Sequence, residues 1–487
     1  MSTARKLAIF LFIVVIAAGG VFAWWIVRGT PAKHQVSELV GKHPLIVDPQ
    51  VETIPTMRVA KPIGWGPNEA PQAAPGLTVT RFAEGLDHPR TMLTLPNGDV
   101  LVAETNAPPY HIGGITGMVM GWLMKRAGAA EPSPNAIVLL RDADGDGKAE
   151  QRFTLRHPAL ASPSGMAWGN GKLYVANHDA VLAFDFTPGQ TGLTGSPTKL
   201  MDLPAGGRHW MRNLLLSPDG KLLYVSVGSS SNIAEDGIDK EQGRAGIWEI
   251  DLTSGRRRQY AGGMRNPNGM DWNPATGELW TVVNERDQLG PDVPPDYLTN
   301  VPIGAQYGWP WVYWKNIIDE RVTAPMPDFL TEYTRRPEYA LGPHVAALGL
   351  VFVRGGEKLG PNFADGAIVA EHGSWNRRPP SGYDVEFVPF DDHGNPLDGP
   401  PRRLLTGFLT GRGPTHGRPT WLAWDKGGGL LVSDDTAGII WRVIAQGAAP
   451  AAAIKPVVTA HMPPQRELKG EPTAQFQAKF GPVRQSK

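Results

Sequence analysis

Six times along this chain an apolar strand, a glycine-bearing turn and a second apolar strand follow one another. The copies read PRTMLTLPNGDVLVAET from Pro89, PSGMAWGNGKLYVAN from Pro163, HWMRNLLLSPDGKLLYVSVG from His209, PNGMDWNPATGELWTVVN from Pro267, VAALGLVFVRGGEKLGPNFADGAIVAEHG from Val345 and PTWLAWDKGGGLLVSDD from Pro419. Each is a hairpin signal, with large apolar residues flanking a turn in which glycine supplies positive φ. The fifth is stretched by an insertion before Asp365 and Gly366. A hairpin cannot bury its apolar faces alone, so an array of them must stack. Over residues 76 to 445 the copies recur about every 62 residues, more than the roughly 40 to 50 of a four-stranded propeller blade. The excess goes into long loops, and propellers place their sites among such loops. The expected class is all-β, a six-bladed β-propeller; its rival is a chance run of hairpins in another all-β fold.

Composition agrees and narrows the function. The 58 Gly and 46 Pro residues are a heavy load of turn formers, which argues against a helical bundle. Lys plus Arg equals Asp plus Glu at 47 each, so no global basic charge exists to hold nucleic acid. There is no Cys, which excludes disulfides, thiolate zinc sites, iron–sulfur clusters and covalently attached c-type haem.

The N-terminus carries an address. Residues Leu7 to Val27 contain no charge, and a run of that length spans a hydrocarbon core. Arg5 and Lys6 precede it and Trp24 and Trp25 close it, which predicts a transmembrane helix with the N-terminus cytoplasmic and the body periplasmic or extracellular. A cleaved signal peptide is the rival, although its apolar region is usually shorter. The expected divisions are an anchor over 1–28, a Pro-rich linker and lead-in over 29–75, the propeller over 76–445 and a C-terminal tail over 446–487. Ile115 to Ala129 is Met-rich with a basic end and reads as a short helix, either on the membrane face or packed at the propeller rim, or equally as a helix buried under a loop.

Several motifs sit at the strand ends of these repeats: GLDHPR from Gly85, His209 ahead of SPDGKLLY, GMRNPNGMDW from Gly263, EHGSWNR from Glu371, and GRPTWLAWD from Gly417 with SDDTAGIIWRV from Ser433. In this order they resemble the glucose/sorbosone dehydrogenase family over roughly residues 76 to 445, closest to its membrane-associated sorbosone branch. That resemblance implies six-bladed propellers using pyrroloquinoline quinone (PQQ) and calcium.

The resemblance makes His209 the general base. Oxidising a hydroxyl requires removal of its proton as hydride leaves carbon, a task suited to a neutral imidazole. It also makes Arg265 and Asn266 the pair that holds the reactive side of PQQ, where a guanidinium bonds carboxylate or quinone oxygens. Arg418 matches a residue on the PQQ carboxylates. His416 stands where the glucose branch has Arg. His372, Arg377 and Arg378 lie where that branch has a Lys carboxylate contact, and which of the three replaces it is open. Calcium would lie in the loop from Asn284, held largely by backbone carbonyls with Glu285, Asp287 and Asp292 as helpers. Separately, Asp142, Asp144 and Asp146 ahead of Gly147 match the first half of a calcium loop, but the twelfth place is Phe153, so this is no EF-hand. The aromatic run from Tyr307 to Trp314 either lines a sugar site or packs a crossover loop.

These readings converge on a membrane-anchored quinoprotein dehydrogenase that oxidises a sugar or sugar-derived aldehyde. Without haem of its own it would pass electrons to a quinone or a separate carrier. Two rivals differ in class: a propeller hydrolase of the lactonase kind with a side-chain-held metal, and a non-catalytic propeller that binds protein or glycan. The cluster of Arg265, His372 and Arg418 favours an anionic cofactor over a lone cation, which counts against the lactonase reading, and a binding scaffold need not hold His209, Arg265 and Arg418 around one point; the dehydrogenase reading fails if these residues scatter over different faces.

Overall fold

A computed structural model of the chain describes residues 3–109, 114–355, 357–411 and 413–448; within the helices, the side chains at 4, 8, 22–28, 115, 116, 119 and 120 lie outside that description. The body is a six-bladed β-propeller of antiparallel four-stranded sheets. Blades 1, 2 and 3 run Pro89–Arg156, Gly165–Asp202 and Arg212–Gly262, each with its four strands in simple sequence order. Blade 4 runs Asn266–Pro343 and carries an extra hairpin, Val312–Tyr313 with Ile317–Ile318, between its third and fourth strands. Blade 5 runs Ala347–Thr406. Blade 6 supplies three strands, Pro419–Trp424, Leu430–Asp434 and Ile439–Ala445.

The ring closes with chain from its beginning. Strand Leu77–Glu84 pairs antiparallel with Ile439–Ala445, Leu77 opposite Ala445, and becomes the outer strand of blade 6. The short strand Gln72–Ala73 pairs with blade 5 at Thr406 and Leu405. Each of the six sequence repeats is the inner hairpin of one blade. Successive innermost strands pack side by side, and that of blade 6 returns to that of blade 1.

Alternation within the strands explains the near-continuous apolar runs. Side chains point alternately to the two faces of a sheet, and here both faces are covered by neighbouring blades. Leu101 and Ala103 pack toward blade 2 with Leu173 and Val175, whereas Val100 and Val102 pack toward blade 6 with Leu431 and Ile440. The innermost strands approach so closely that side chains are excluded. A Cβ on Gly165 would sit 2.5 Å from the Arg212 carbonyl, and one on Gly269 would sit 2.5 Å from the Leu348 carbonyl.

Antiparallel pairing also fixes which loops share a face. An innermost strand begins, and the second strand ends, at the same end of the ring. His209, Arg265, Asn266 and Arg418 lie at the starts of innermost strands of blades 3, 4 and 6, and His372 follows the second strand of blade 5. All are therefore on one face. The Asp142 loop joins the third and fourth strands of blade 1 and lies on the other.

The lead-in is held against the site face. Lys33 and His34 donate backbone N–H groups to Asp292, Arg58 donates to the Trp375 carbonyl, and Ile63 donates to the Thr415 carbonyl. The helix Gly114–Arg126 rises from the loop after the second strand of blade 1, with Leu123 buried and Met118 and Trp122 exposed. The aromatic run is largely a packed crossover: Tyr307, Trp309 and Tyr313 are buried, and Trp309 donates Nε1 to the Asn232 carbonyl.

One expectation is corrected. Among the described residues no helix is long and apolar enough to cross a membrane. The N-terminal segment does form a helix, Thr3–Arg28. The expected tail falls, beyond residue 448, outside the described residues.

Candidate active site

Two linked polar clusters occupy the hub of the site face. In the first, Arg265 is buried and donates Nη2 to Asp287 Oδ2 at 2.8 Å, Nη1 to the Glu285 carbonyl at 2.6 Å and Nε to the Asn232 carbonyl at 3.3 Å. Asn376 donates to the other Asp287 oxygen at 2.7 Å and to His344 Nδ1 at 3.2 Å. In the second, Asp435 accepts from Arg90 Nη1 at 2.5 Å and from His372 Nε2 at 2.9 Å. Arg418 donates to the carbonyls of His372 at 2.9 Å and Gly373 at 2.8 Å, and its guanidinium lies 5.4 Å from the Tyr383 ring centroid.

His209 joins the two. Its neighbour Met211 receives Arg90 Nη2 at 2.9 Å, and the guanidinium of Arg90 lies 5.9 Å from the Trp210 ring centroid. On the other side, a Cβ at Gly228 would meet both Asn266 Oδ1, at 2.3 Å, and His209 Cβ, at 2.6 Å. Glycine there lets the base and the amide of Asn266 lie side by side. His209 Nδ1 is 2.9 Å from the Ser229 carbonyl and 3.0 Å from the Ser229 hydroxyl. A carbonyl only accepts, so Nδ1 carries the hydrogen and Nε2 keeps its lone pair.

Electrostatics reinforce that state. Burial, and then the cations of Arg265, Arg208 and Arg212, hold the His209 imidazole well below the ordinary histidine value despite its bond to Ser229. Burial and Arg418 push His372 down to about 4. Burial alone would raise Asp435, yet His372, Arg90 and Arg418 hold it far below the usual carboxylate range. Asp434, which accepts from Trp65 and from the Arg418 backbone, is raised to about 6 by burial.

Other expected site residues are engaged elsewhere. Arg377 is buried and donates to Asp292 at 3.0 Å and to the carbonyls of Pro291 and His34, so it ties the lead-in to blades 4 and 5 instead of facing the hub. His416 stacks on Trp65 at 4.6 Å and bonds the Gly64 carbonyl, again in the lead-in. The carboxylates expected to help calcium do not converge. Glu285 accepts from Arg286, Asp292 accepts from Arg377 and the lead-in, and only Asp287 turns to the hub. Asp142, Asp144 and Asp146 do cluster, with Glu150 as a fourth member, in a largely exposed loop whose amides they cap. Arg90, His344, Asn376 and Asp435 escaped the sequence reading. Arg90 and Asp435 lie inside quoted motifs, GLDHPR and SDDTAG, and being acid and base at matched strand ends was the available signal.

The hub suits a planar, anionic guest. Among the described residues Arg418 has no carboxylate within ion-pair distance. Buried polar atoms around the hub also lack partners, namely Arg90 Nε, Asp435 Oδ1, Thr436 Oγ1 and Asn376 Oδ1. Buried polar groups are rarely left so without a ligand or water to satisfy them. A guanidinium with free donors matches carboxylates and quinone oxygens.

The fold is a six-bladed propeller with a polar, arginine-rich hub on one face. The chain belongs to the TrAA12-like family, whose model matches residues 71–293 and 326–446. It is similar to the calcium structure of a Trichoderma reesei carbohydrate-active enzyme of family AA12, with TM-score 0.62 and 20% identity over 77% of this chain and 97% of that one. It is also similar to the holo PQQ domain of pyranose dehydrogenase from Coprinopsis cinerea, with TM-score 0.59 and 21% identity over 79% of this chain and 100% of that one. The PQQ-dependent pyranose dehydrogenase of Coprinopsis cinerea is 24% identical over 428 residues; the match covers 76% of this chain and only 54% of that longer protein. These relatives are PQQ-dependent or AA12 sugar enzymes; none of the three is a sorbosone dehydrogenase.

Proposed function

We propose that this chain is a PQQ-dependent dehydrogenase oxidising a sugar or a sugar-derived aldehyde, of the aldose or sorbosone type. The observation that carries the reading is the fixed tautomer of His209, whose Nε2 is left with its lone pair at a hub ringed by Arg90, Arg265 and Arg418. Bound there, PQQ would supply the hydride acceptor. Arg418 and Arg90 would hold its carboxylates, and Asn266 would meet its edge beside His209. His209 Nε2 would take the proton of the substrate hydroxyl or aldehyde hydrate. Arg265 gives its positive field to the oxygen that gains charge, while its bond to Asp287 keeps the guanidinium in place. Calcium has no converged carboxylate set in the loop from Asn284, so no step is drawn through it.

The lactonase reading wants three or more carboxylate or His ligands converging on a hub metal; among the described residues no such group gathers at the hub, where Asp287 and Asp435 are paired with Arg265 and Arg90. The body is proposed to work on the exported side of a membrane. Arg5 and Lys6 precede the uncharged run, and Leu7, Phe10, Phe12 and Val15 are exposed and unpartnered. Electrons would pass to a quinone or a separate carrier.

The test is reconstitution of purified apo-protein with PQQ and Ca²⁺, followed by a dye-linked assay against aldoses, sorbosone and simple alcohols. Binding of PQQ at micromolar levels with turnover of one of these donors supports the reading. Absence of PQQ binding at that level overturns it.

A further inference from the structure

Blade 5 contains a second acidic cluster that the proposed chemistry does not use. Glu371 closes its second strand, Asp384 opens its third directly opposite, and Glu386 follows on the same face. One carboxyl oxygen from each of the three lies within 4.8 Å of the others. Glu371 is only 2% exposed. Its Oε1 has no partner, nor has Oδ1 of Asp384. Among the described residues no N–H group and no basic side chain within ion-pair distance reaches these three carboxylates; Arg403, paired in register with Glu386, acts only from further away.

Three ionised carboxylates cannot remain together in such a place. Glu371 is buried and Asp384 and Glu386 are half-buried, so three like charges held this close, with no cation beside them, must gain either protons or a cation. Burial followed by the neighbouring acids pushes Glu371 and Glu386 well above the usual range. Glu371 Oε1 is left without a hydrogen-bond donor, a demand that a hard cation held by the three carboxylates would meet.

We propose that Glu371, Asp384 and Glu386 form a structural calcium site, separate from any ion at the hub. Three carboxylates offer up to about six oxygens, within the six to eight that calcium takes in flexible geometry. Magnesium, which keeps waters in a strict octahedron, suits a buried strand pair poorly. The ion clamps the second strand of blade 5 to the third. The loop between those strands carries His372 and Asn376, so the site sets the position of two hub residues without touching substrate.

The test uses the full chain without PQQ, stripped with a chelator and titrated with Ca²⁺ alone. Bound calcium is counted by mass spectrometry, and thermal melting is followed with and without the ion. Glu386→Gln and Asp384→Asn are expected to lose one calcium equivalent per chain and most of the calcium-dependent rise in Tm. Asp144→Asn, in the exposed loop of blade 1, is expected to leave that rise in place. Should the blade 5 variants fail to fold, crystals of the wild-type chain grown with Mn²⁺ decide the matter. An anomalous peak among the three carboxylates supports the proposal. Equal calcium counts and Tm shifts in wild type and variants, or no peak at that place, overturn it in favour of shared protons. Either result stands apart from whether PQQ binds.

Discussion

Arg265 and Asp287 form a buried ion pair, Nη2 to Oδ2 at 2.8 Å, that pins the loop after the second strand of blade 4 to the start of its first. The side chains are 6% and 19% exposed, so the pair is largely shielded from solvent. Removing one partner leaves a desolvated charge, which costs roughly 3 to 5 kcal/mol where burial is complete. Asp287→Ala should therefore lower unfolding stability by about 3 kcal/mol in urea titrations, the lower end reflecting the partial exposure of Asp287. Asp287→Asn should lose less, because its amide oxygen still accepts from Arg265. A stability unchanged in both variants would show that the pair is not formed in solution.

His209 should behave as a base and not as a cofactor ligand. His209→Gln keeps a polar side chain of similar reach but cannot accept the proton. Turnover in the reconstituted enzyme should fall by about 10²- to 10⁴-fold, with PQQ affinity nearly unchanged. The imidazole is held below 6.5, so its neutral, working form persists into acid. The acid limb of the rate profile should accordingly lie below 6.5 in the wild type and vanish in the variant. A wild-type limb above that value would contradict the assignment.

Much of this architecture was legible from hairpin periodicity. PNGMDW and PSGMAW carry their glycine at the place where the next blade's backbone passes, so the repeat encodes both strand and close approach. The shared face of His209, Arg265 and Arg418 was legible too, since all precede innermost strands. What each side chain grips was not. Arg377 and His416 sit in hub motifs, yet both turn to the lead-in, and the fit of residues 30–66 on the blades is set by contacts hundreds of residues apart in sequence. Asp435 was not singled out, because only closure of the ring brings Arg90 of blade 1 to it. The signal for the helix Gly114–Arg126 was local, a short apolar, Met-rich run with a basic end.

Gly269 tests the close packing of the innermost strands. A methyl group there would lie 2.5 Å from the Leu348 carbonyl and 2.6 Å from the Leu350 nitrogen, both main-chain atoms with little room to yield. Gly269→Ala should cost about 1 to 3 kcal/mol through overpacking. Gly192, with nothing within 4 Å of an added Cβ, provides the contrast. Gly192→Ala should be neutral or slightly stabilising by restricting the unfolded chain. Thermal melting of the two variants beside the wild type measures both effects.

Asp435 ties together three parts of the ring, accepting from Arg90 of blade 1 and His372 of blade 5 while lying at the end of a blade 6 strand. Its carboxyl is depressed in the folded state by His372, Arg90 and Arg418 against the opposing effect of burial. A depressed carboxylate contributes stability that is fully present above its unfolded value of about 3.9 and is lost as pH falls toward the folded value. Asp435→Asn keeps the shape and removes the charge, leaving the half-buried Arg90 without its counter-ion. The variant should be roughly 3 kcal/mol less stable near neutrality. That difference should hold from mildly alkaline pH down to about 4 and narrow only in stronger acid. Urea unfolding of both proteins across this range measures it. A difference that narrows instead on going from neutral to alkaline pH would mean that Asp435 is protonated in the fold and that the hub is wired differently.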